Sequence, residues 1–573
     1  MVHAERDGDE ILITTEFRHR DLIRQVPGVT WDSSGRVWRA PLSWGSCKAL
    51  RGVFADRLEV GPKLADWAWE EYNGRVEPCL ALRQATDAPG DGRLYPFQRA
   101  GVQFLKFAKR AVLADDMGTG KTIQTIMALQ AIQEEEDDAI NVFPCLVICP
   151  NAMKLTWARE FEKWWPGVTV QPVSGTAGQR RKQIDSCADV VVINWEALRI
   201  HSRLAPYGSI RLSDSEKAPK ELNRVNWQTV IADEAHKLRD PKSKQTRACW
   251  WVGRNAEYRF ALTGTPVTNA PDTMWSMLHF VSPENWPRKS SYIDRYCLSS
   301  FNAFGGLEII GVRPEMQSEF FSILDPMMRR MPKEVVLTQL PPKLHQRRYL
   351  EMGTKQKKAY DEMLAGMLAK LEDGDAIVAP TVLAQLTRLV QFSSSLACLD
   401  DSGNVRLSEP SNKLDAMMDD LEELGKEPVV IFAQSRQLIE LAAKRLEDRK
   451  IPYRMVVGGQ GEYERQQHVD DFQAGRARCM LVTIAAGGVG LTLTKARVGI
   501  FLQRSWSKVD NDQAEARIHR IGSEHHENVL YIDYVSEGTV EEHQLDVLLD
   551  KDHKFEEVVR DRDFLRRMMK GGR

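Results

Sequence analysis

Asp115-Asp116-Met117-Gly118-Thr119-Gly120-Lys121-Thr122 is a glycine-rich turn that ends in Lys-Thr and follows the apolar run Ala111-Val112-Leu113-Ala114. An apolar run entering such a turn, with helix-forming residues behind it, restricts this part of the chain to a strand–loop–helix unit. About a hundred residues later, Val230-Ile231-Ala232 runs into Asp233-Glu234-Ala235-His236, placing two adjacent carboxylates at the end of a second apolar run. Glycines let backbone N–H groups approach an anion, and the new helix adds positive potential at its N-terminus. Lys121 offers a cation for phosphates, Thr122 a hydroxyl for Mg²⁺, Asp233 a carboxylate for the same ion, and Glu234 a base or water-orienting group. The two stretches together supply what hydrolysis of a nucleoside triphosphate requires. The generic GxxxxGK[ST] pattern is not met, because Asp115 occupies its first glycine position.

The surrounding pattern gives the fold class, α/β. Leu146-Val147-Ile148-Cys149, Val190-Val191-Val192-Ile193 and Phe260-Ala261-Leu262 are further continuous apolar runs separated by helical segments. Such runs indicate parallel sheets covered on both faces, with ligands bound beyond the strand ends. A second alternating region starts at Val429-Val430-Ile431-Phe432 and includes Cys479-Met480-Leu481-Val482 and Val498-Gly499-Ile500-Phe501. Between them, helical periodicity over 355–371 and 376–396 reads as a helical insertion. A chain of 573 residues exceeds what one core supports. With 43% hydrophobic and 28% charged residues it has the balance of a folded protein.

No apolar run approaches the roughly 20 residues of a bilayer-crossing helix, and the N-terminus lacks a secretory-signal layout. The nine scattered cysteines read as buried reduced thiols. The expectation is a soluble, intracellular protein without a membrane partner. The net charge of −2 offers no global electrostatic case for nucleic acid, so that case rests on motifs.

Residues 1–88 differ in composition. Arg18, Arg20, Arg24, Trp31, Arg36, Trp38, Arg39 and Trp44 crowd together, and 36–42 alternates like a strand after an Asp-Ser-Ser-Gly turn. Two readings stay open: arginine interleaved with tryptophan for fork or single-strand recognition, or a small scaffold with tryptophans in its core. The stretch 85–92 reads as a linker.

The ordered set Leu94-Tyr95-Pro96-Phe97-Gln98, ADDMGTGKT, DEAH, Leu262-Thr263-Gly264-Thr265-Pro266 and Gln513-Ala514-Glu515-Ala516-Arg517-Ile518-His519-Arg520-Ile521-Gly522 resembles superfamily-two helicases. Within them it resembles the Swi/Snf-type ATPases that translocate on double-stranded DNA, nearest to the annealing-helicase branch. The resemblance implies two RecA-like parallel-sheet lobes, a helical insertion, a small N-terminal accessory domain and a C-terminal helical brace. The expected divisions are 1–88, 89–285, 286–410, 411–545 and 546–573.

The resemblance also implies residue roles. ATP and Mg²⁺ are the cofactors, with Gln98 reading adenine. Asp116, Met117, Gly118, Thr119, Gly120, Lys121 and Thr122 cradle phosphate, and Gly490 contacts nucleotide from the second lobe. Thr122 and Asp233 hold Mg²⁺. Lys121, Asp233, Glu234, Arg517 and Arg520 are the catalytic set, Arg520 being the arginine finger one helical turn from Arg517. His236, Thr263, Gly264 and Thr265 couple the nucleotide site to DNA and to the opposite lobe. Asn151, Lys154, Thr483, Gly487 and Gly488 contact DNA. Trp157 and Trp195 fit core packing as well as base stacking, and the run at Arg180 fits a solvated helix face as well as a phosphate contact.

Departures from the family pattern are Asp116 and Thr119 in the phosphate loop, Gly522-Ser523 in the last motif, and Trp506-Ser507-Lys508. None removes a catalytic group. The leading expectation is a monomeric, sequence-independent translocase on double-stranded, forked DNA, working with a replication or repair protein. The alternatives are a motor that displaces DNA-bound proteins such as RNA polymerase, and a non-catalytic DNA-binding recruitment module. Location is expected in the cytoplasm or nucleoid of a bacterium or virus-infected cell, or in a eukaryotic nucleus.

Overall fold

The N-terminal alternation builds a small sheet. In the computed structural model, which describes residues 1–135, 141–208, 211–264, 271–301, 307–372, 379–487 and 490–549, β1 (Val2–Asp7), β2 (Glu10–Thr14), β3 (Thr30–Asp32), β4 (Val37–Pro41) and β5 (Leu58–Val60) align in the order β3-β4-β2-β1-β5. Period-two alternation sends Val2, Ala4, Ile11 and Ile13 to one face, against Ala49, Leu50 and Phe54 of the helix Trp44–Phe54. The Asp-Ser-Ser-Gly turn forms as its chemistry dictates: Asp32 Oδ1 accepts the Ser34 and Gly35 N–H groups. Aliphatic residues and Phe54, not tryptophans, fill this core. Trp38 and Trp67 only flank it, and Trp31 is 51% exposed, meeting Trp38 edge to face at 5.1 Å.

The apolar runs beyond residue 110 form a seven-stranded, all-parallel sheet. Its strands are β6 (Arg110–Leu113), β7 (Cys145–Cys149), β8 (Val170–Pro172), β9 (Val190–Asn194), β10 (Thr229–Asp233) and β11 (Tyr258–Leu262). After a hairpin of β12 (Cys297–Phe301) and β13 (Leu307–Val312) the seventh arrives, β14 (Met328–Arg329), giving the order β14-β6-β11-β10-β7-β9-β8. β7 and β11 are buried at every position, as expected of strands covered on both faces.

The second sheet has six parallel strands: β15 (Lys343–Leu350), then, after the hairpin β16 (Leu396–Leu399) and β17 (Val405–Ser408), β18 (Val429–Ala433), β19 (Tyr453–Val456), β20 (Cys479–Thr483), β21 (Val498–Phe501) and β22 (Val529–Ser536). Their order is β15-β22-β21-β18-β20-β19. The chain divides into two compact units, Met1–Thr338 and Gln339–Arg573. The segment 286–410 therefore contributes to both. Besides helices such as Thr354–Glu372 and Ala379–Ser394 it carries strands β12 to β17, with β14 completing the first sheet and β15 the second. β14 is two residues long and β15 is largely exposed, so neither shows the apolar run that marks the central strands. Thr265, Gly488 and residues 550–573 of the expected brace lie outside the described residues. Among the described residues no helix is long and apolar enough to cross a membrane.

Candidate active site

Three parallel strand ends converge on the phosphate loop. β6 delivers Asp115 to Gly120, β10 delivers Asp233 and Glu234, and β11 delivers Thr263 and Gly264. Gly118 and Gly120 take φ of 83° and 81°, the left-handed region that the tight turn into the helix Lys121–Gln133 requires. The turn is wound around its own lysine. Lys121 Nζ donates to the carbonyls of Asp115 (2.7 Å) and Asp116 (3.0 Å), and the Thr119 hydroxyl donates to Asp116 O. Gln98, buried in the helix Pro96–Ala108, donates from Nε2 to Thr119 O at 2.9 Å and accepts the Tyr95 N–H on Oε1. A Cβ on Gly264 would stand 2.6 Å from Met117 Cγ and 3.4 Å from Lys121 Nζ, which places the Thr263-Gly264 segment against the loop.

Asp115 and Asp116 buttress the loop from behind. Asp115 Oδ1 accepts the Met331 N–H, its Oδ2 accepts from Gln124, and Asp116 Oδ2 accepts the Lys333 N–H. The Asp116 side chain expected at phosphate is thus engaged by the segment after β14. Fully buried Arg329 on β14 gathers the carbonyls of Leu82, Arg83, Ala85 and Phe97, fixing the linker and the Gln98 helix beside the loop.

Asp233 is held by two indoles. Trp157 Nε1 donates to its Oδ2 at 3.0 Å, Trp195 Nε1 to its carbonyl at 3.1 Å, and the Glu234 N–H to its Oδ1 at 2.9 Å. Both tryptophans are fully buried, so they belong to the core and orient Asp233 rather than stacking on bases. Glu234 adopts φ 51°, and its carboxylate lies 3.2 Å from His236 Nδ1. Burial and the Glu234 charge push the Asp233 carboxyl up to about 6, against the Trp157 N–H and Lys121. Burial pulls the Lys121 ammonium below its ordinary value, while Glu234, Asp115, Asp233 and Asp116 pull it back up.

In the second unit, Thr483 ends β20, Gly487 closes the short helix Ile484–Gly487, and Gly490 takes φ 79°. Arg517 and Arg520 are not one turn apart on a helix. The helix Lys508–Glu515 stops before them, its last carbonyl capped by the Tyr531 hydroxyl at 2.7 Å, and both arginines follow in turns. Arg517 is buried, and Arg520 Nη1 donates to Leu491 O beside Gly490. Glu515 meets Arg504 (2.8 Å) and Lys343 (3.1 Å), and Arg504 also meets Asp533 (2.6 Å), so a buried ion network ends the helix that leads into the two arginines.

The sequence model of the SNF2-related domain matches residues 67–396, and that of the helicase conserved C-terminal domain matches 412–522. The chain belongs to the SNF2-related family. It is an ATP hydrolase with helicase-like domains, and ATP binding follows from that membership. The SNF2-related chain is 27% identical over 542 residues to the SWI/SNF-related matrix-associated actin-dependent regulator of chromatin subfamily A-like protein 1 of Xenopus tropicalis, covering 92% of this chain and 52% of that protein. It is 26% identical over 454 residues to the human DNA annealing helicase and endonuclease ZRANB3, covering 78% of this chain and 39% of that one. It thus spans about half or less of the length of these relatives. The solved Sulfolobus solfataricus SWI2/SNF2 ATPase core in complex with dsDNA aligns with 86% of this chain and 99% of its own at 23% identity and a TM-score of 0.38.

In this SNF2-related chain the residues expected at DNA divide. Asn151 is exposed at the start of a short turn after β7. Lys154 is not available to a phosphate: it is 2% exposed and its ammonium donates to Val173 O at 2.7 Å, closing the end of β8. Arg180 is tied to His201 Nε2 and Gly175 O, whereas Arg181 extends outward and pairs with Glu221. Sequence reasoning did not assign functions to Asp115, Arg329, Arg504, Glu515 or Asp533. Two signals were available: the acid standing at a generic glycine position, and the acid inside the quoted arginine motif.

Proposed function

We propose that the chain is an ATP-driven translocase on double-stranded DNA that remodels or anneals branched DNA. The observation that carries the motor part is the cluster around Lys121, where four carboxylates act on one ammonium at converging strand ends. Buried carboxylates in excess call for a further cation. The residues fit Mg²⁺, with Thr122 and Asp233 as its protein ligands, and the ion supplies charge neutralisation at the phosphates. Lys121 exchanges its loop carbonyls for phosphate oxygens, and Gln98 keeps the adenine side of the loop in place. Glu234, beside His236, positions the attacking water. Arg520, with Arg517 next to it, neutralises charge developing on the γ-phosphate.

The DNA part is supported by the relative named a DNA annealing helicase and by the N-terminal sheet. Trp31 is exposed on β3, and in the helical turn after β2 Phe17 is exposed with the Arg20 guanidinium 5.0 Å from its ring centroid. Such a surface can hold bases and phosphates at a junction. Steady-state ATP hydrolysis without DNA and with single strands, duplex or fork, at two salt concentrations, tests the reading. Stimulation greatest with forks and reduced by salt is expected. Hydrolysis unmoved by every DNA would overturn the translocase while leaving the ATP hydrolase standing.

A further inference from the structure

At the strand ends opposite the phosphate loop, β6 and β11 floor a cavity of about 570 Å³ whose other wall is Arg6 of β1, the turn after β4 that leads into Trp44, and the helix Pro62–Glu71. The walls are fastened together: the Gly45 N–H donates to Asn285 Oδ1 at 2.7 Å, and Trp44 Nε1 donates to Ser322 O at 3.2 Å. Six basic and four acidic side chains line the space. Three of the acids already have partners, Glu71 with Arg75 (2.6 Å), Glu257 with Lys109 (3.3 Å) and Glu284 with Arg110 (3.0 Å).

The remaining basic groups are Arg6, Arg254 and Arg259, and among the described residues none of them forms an ion pair. Arg259 decides the argument. It is 3% exposed, its Nη1 donates only to the Phe280 carbonyl at 3.2 Å, and its Nε is buried without a partner. Arg110 stands beside it in register on β6, and burial together with that like charge pulls the Arg259 guanidinium down to about 10, against the Glu284 carboxylate, whose ion pair is with Arg110. Two guanidiniums sharing one carboxylate leave a buried positive charge in excess, and an anion from outside relieves it. The indoles of Trp44 and Trp67, both half-buried, add flat apolar walls.

We propose that this cavity binds a nucleoside phosphate, its phosphate taken by Arg6, Arg254 and Arg259 and its base by Trp44 and Trp67. Guanidinium groups match phosphate oxygens, indoles offer faces to a base, and the volume lies in the range of small-ligand pockets. The site is separate from the ATP site, which lies at the other ends of the same strands, and does not depend on the DNA reading. A free nucleotide and the 5′-phosphoryl end of a strand share this chemistry.

Calorimetric titration of dAMP and inorganic pyrophosphate into the full-length chain, loaded with a single equivalent of a non-hydrolysable ATP analogue and Mg²⁺, tests it. One further equivalent of dAMP should bind. Arg254→Ala, at an exposed position that leaves the core intact, should weaken both ligands about tenfold. Trp67→Leu should weaken dAMP and spare pyrophosphate. A trinucleotide that binds only with its 5′-phosphate assigns the site to strand ends; one that fails where dAMP binds assigns it to free nucleotide. Absence of dAMP binding, or affinity unchanged in the combined Arg6→Gln and Arg254→Ala variant, overturns the proposal.

Discussion

In the first unit, Lys121 stands in the fields of Asp115, Asp116, Asp233 and Glu234. In the second, Arg504 is matched against Asp533 and Glu515, and Lys413 against Glu541. Both clusters are buried against a parallel sheet, yet their carboxylates titrate in opposite directions. Asp233 is pushed up to about 6. Glu515, although burial pushes it up, is held below its ordinary value by Lys343 and Arg504. An unbalanced cluster waits for charge from a ligand, whereas a balanced one is already complete and can only position its neighbours. On the function proposed above, the first belongs to the chemistry and the second to the scaffold that presents Arg517 and Arg520.

The comparison breaks most visibly at Lys413. Its ammonium is fully buried and donates to Leu502 O, Tyr534 O and Glu541. Lys413→Met strands the Glu541 carboxylate and should cost the second unit about 3–5 kcal/mol, read as a lower denaturant midpoint. A midpoint unchanged from the parent chain would show that the second cluster is not balanced as described. Lys121→Ala should act on both: hydrolysis falls about 10²–10³-fold, and the first unit loses stability at pH 7–8 because four carboxylates are left without their ammonium. Retained DNA-stimulated hydrolysis in that variant would sink the assignment of the loop.

Asp233→Asn sharpens the contrast. The folded-state pKa of Asp233 is raised from 3.8 to about 6, so its contribution to stability is full below about 4 and is lost as pH rises through about 6. Asparagine cannot ionise. The unliganded variant should therefore be more stable than the parent at pH 7–8, by about 1–3 kcal/mol, and inactive; a less stable variant at that pH would contradict the unbalanced cluster. The smallest effect is expected for Trp157→Phe. It removes the N–H donated to Asp233 Oδ2, which raises the carboxyl pKa further and costs about 1 kcal/mol. The acid limb of the rate–pH profile should move to higher pH, and an unmoved limb would separate Trp157 from the chemistry.

The sequence was most legible where a feature is local. Glycines at 118 and 120, the carboxylates after β10 and the Asp-Ser-Ser-Gly turn each declare a backbone conformation or a charge within a few residues. The buried central strands were legible because they are continuously apolar. Edge strands were not: β14 is two residues long, β15 reads as polar, and both are defined by a partner strand rather than by their own pattern. The Lys508–Glu515 helix gives way to i→i+3 turns at Arg517 and Ile518, and its last carbonyl also takes the Tyr531 hydroxyl, a contact no spacing predicts. Lys154 misled for a similar reason. A lysine after a strand end reads as a surface cation, and only the position of Val173 shows that its ammonium closes the sheet edge.

The late arrival of β14 sets an order of assembly during synthesis. β6 and the loop behind it emerge early, but the groups that satisfy Asp115 and Asp116 come from Met331 and Lys333, after every other strand of that sheet. Until the ribosome has passed them, β6 is an open edge and two aspartates lack their backbone donors. A nascent chain halted before residue 328 therefore carries the phosphate-loop sequence without its buttress. The first unit becomes able to receive nucleotide only as its last strand is laid down.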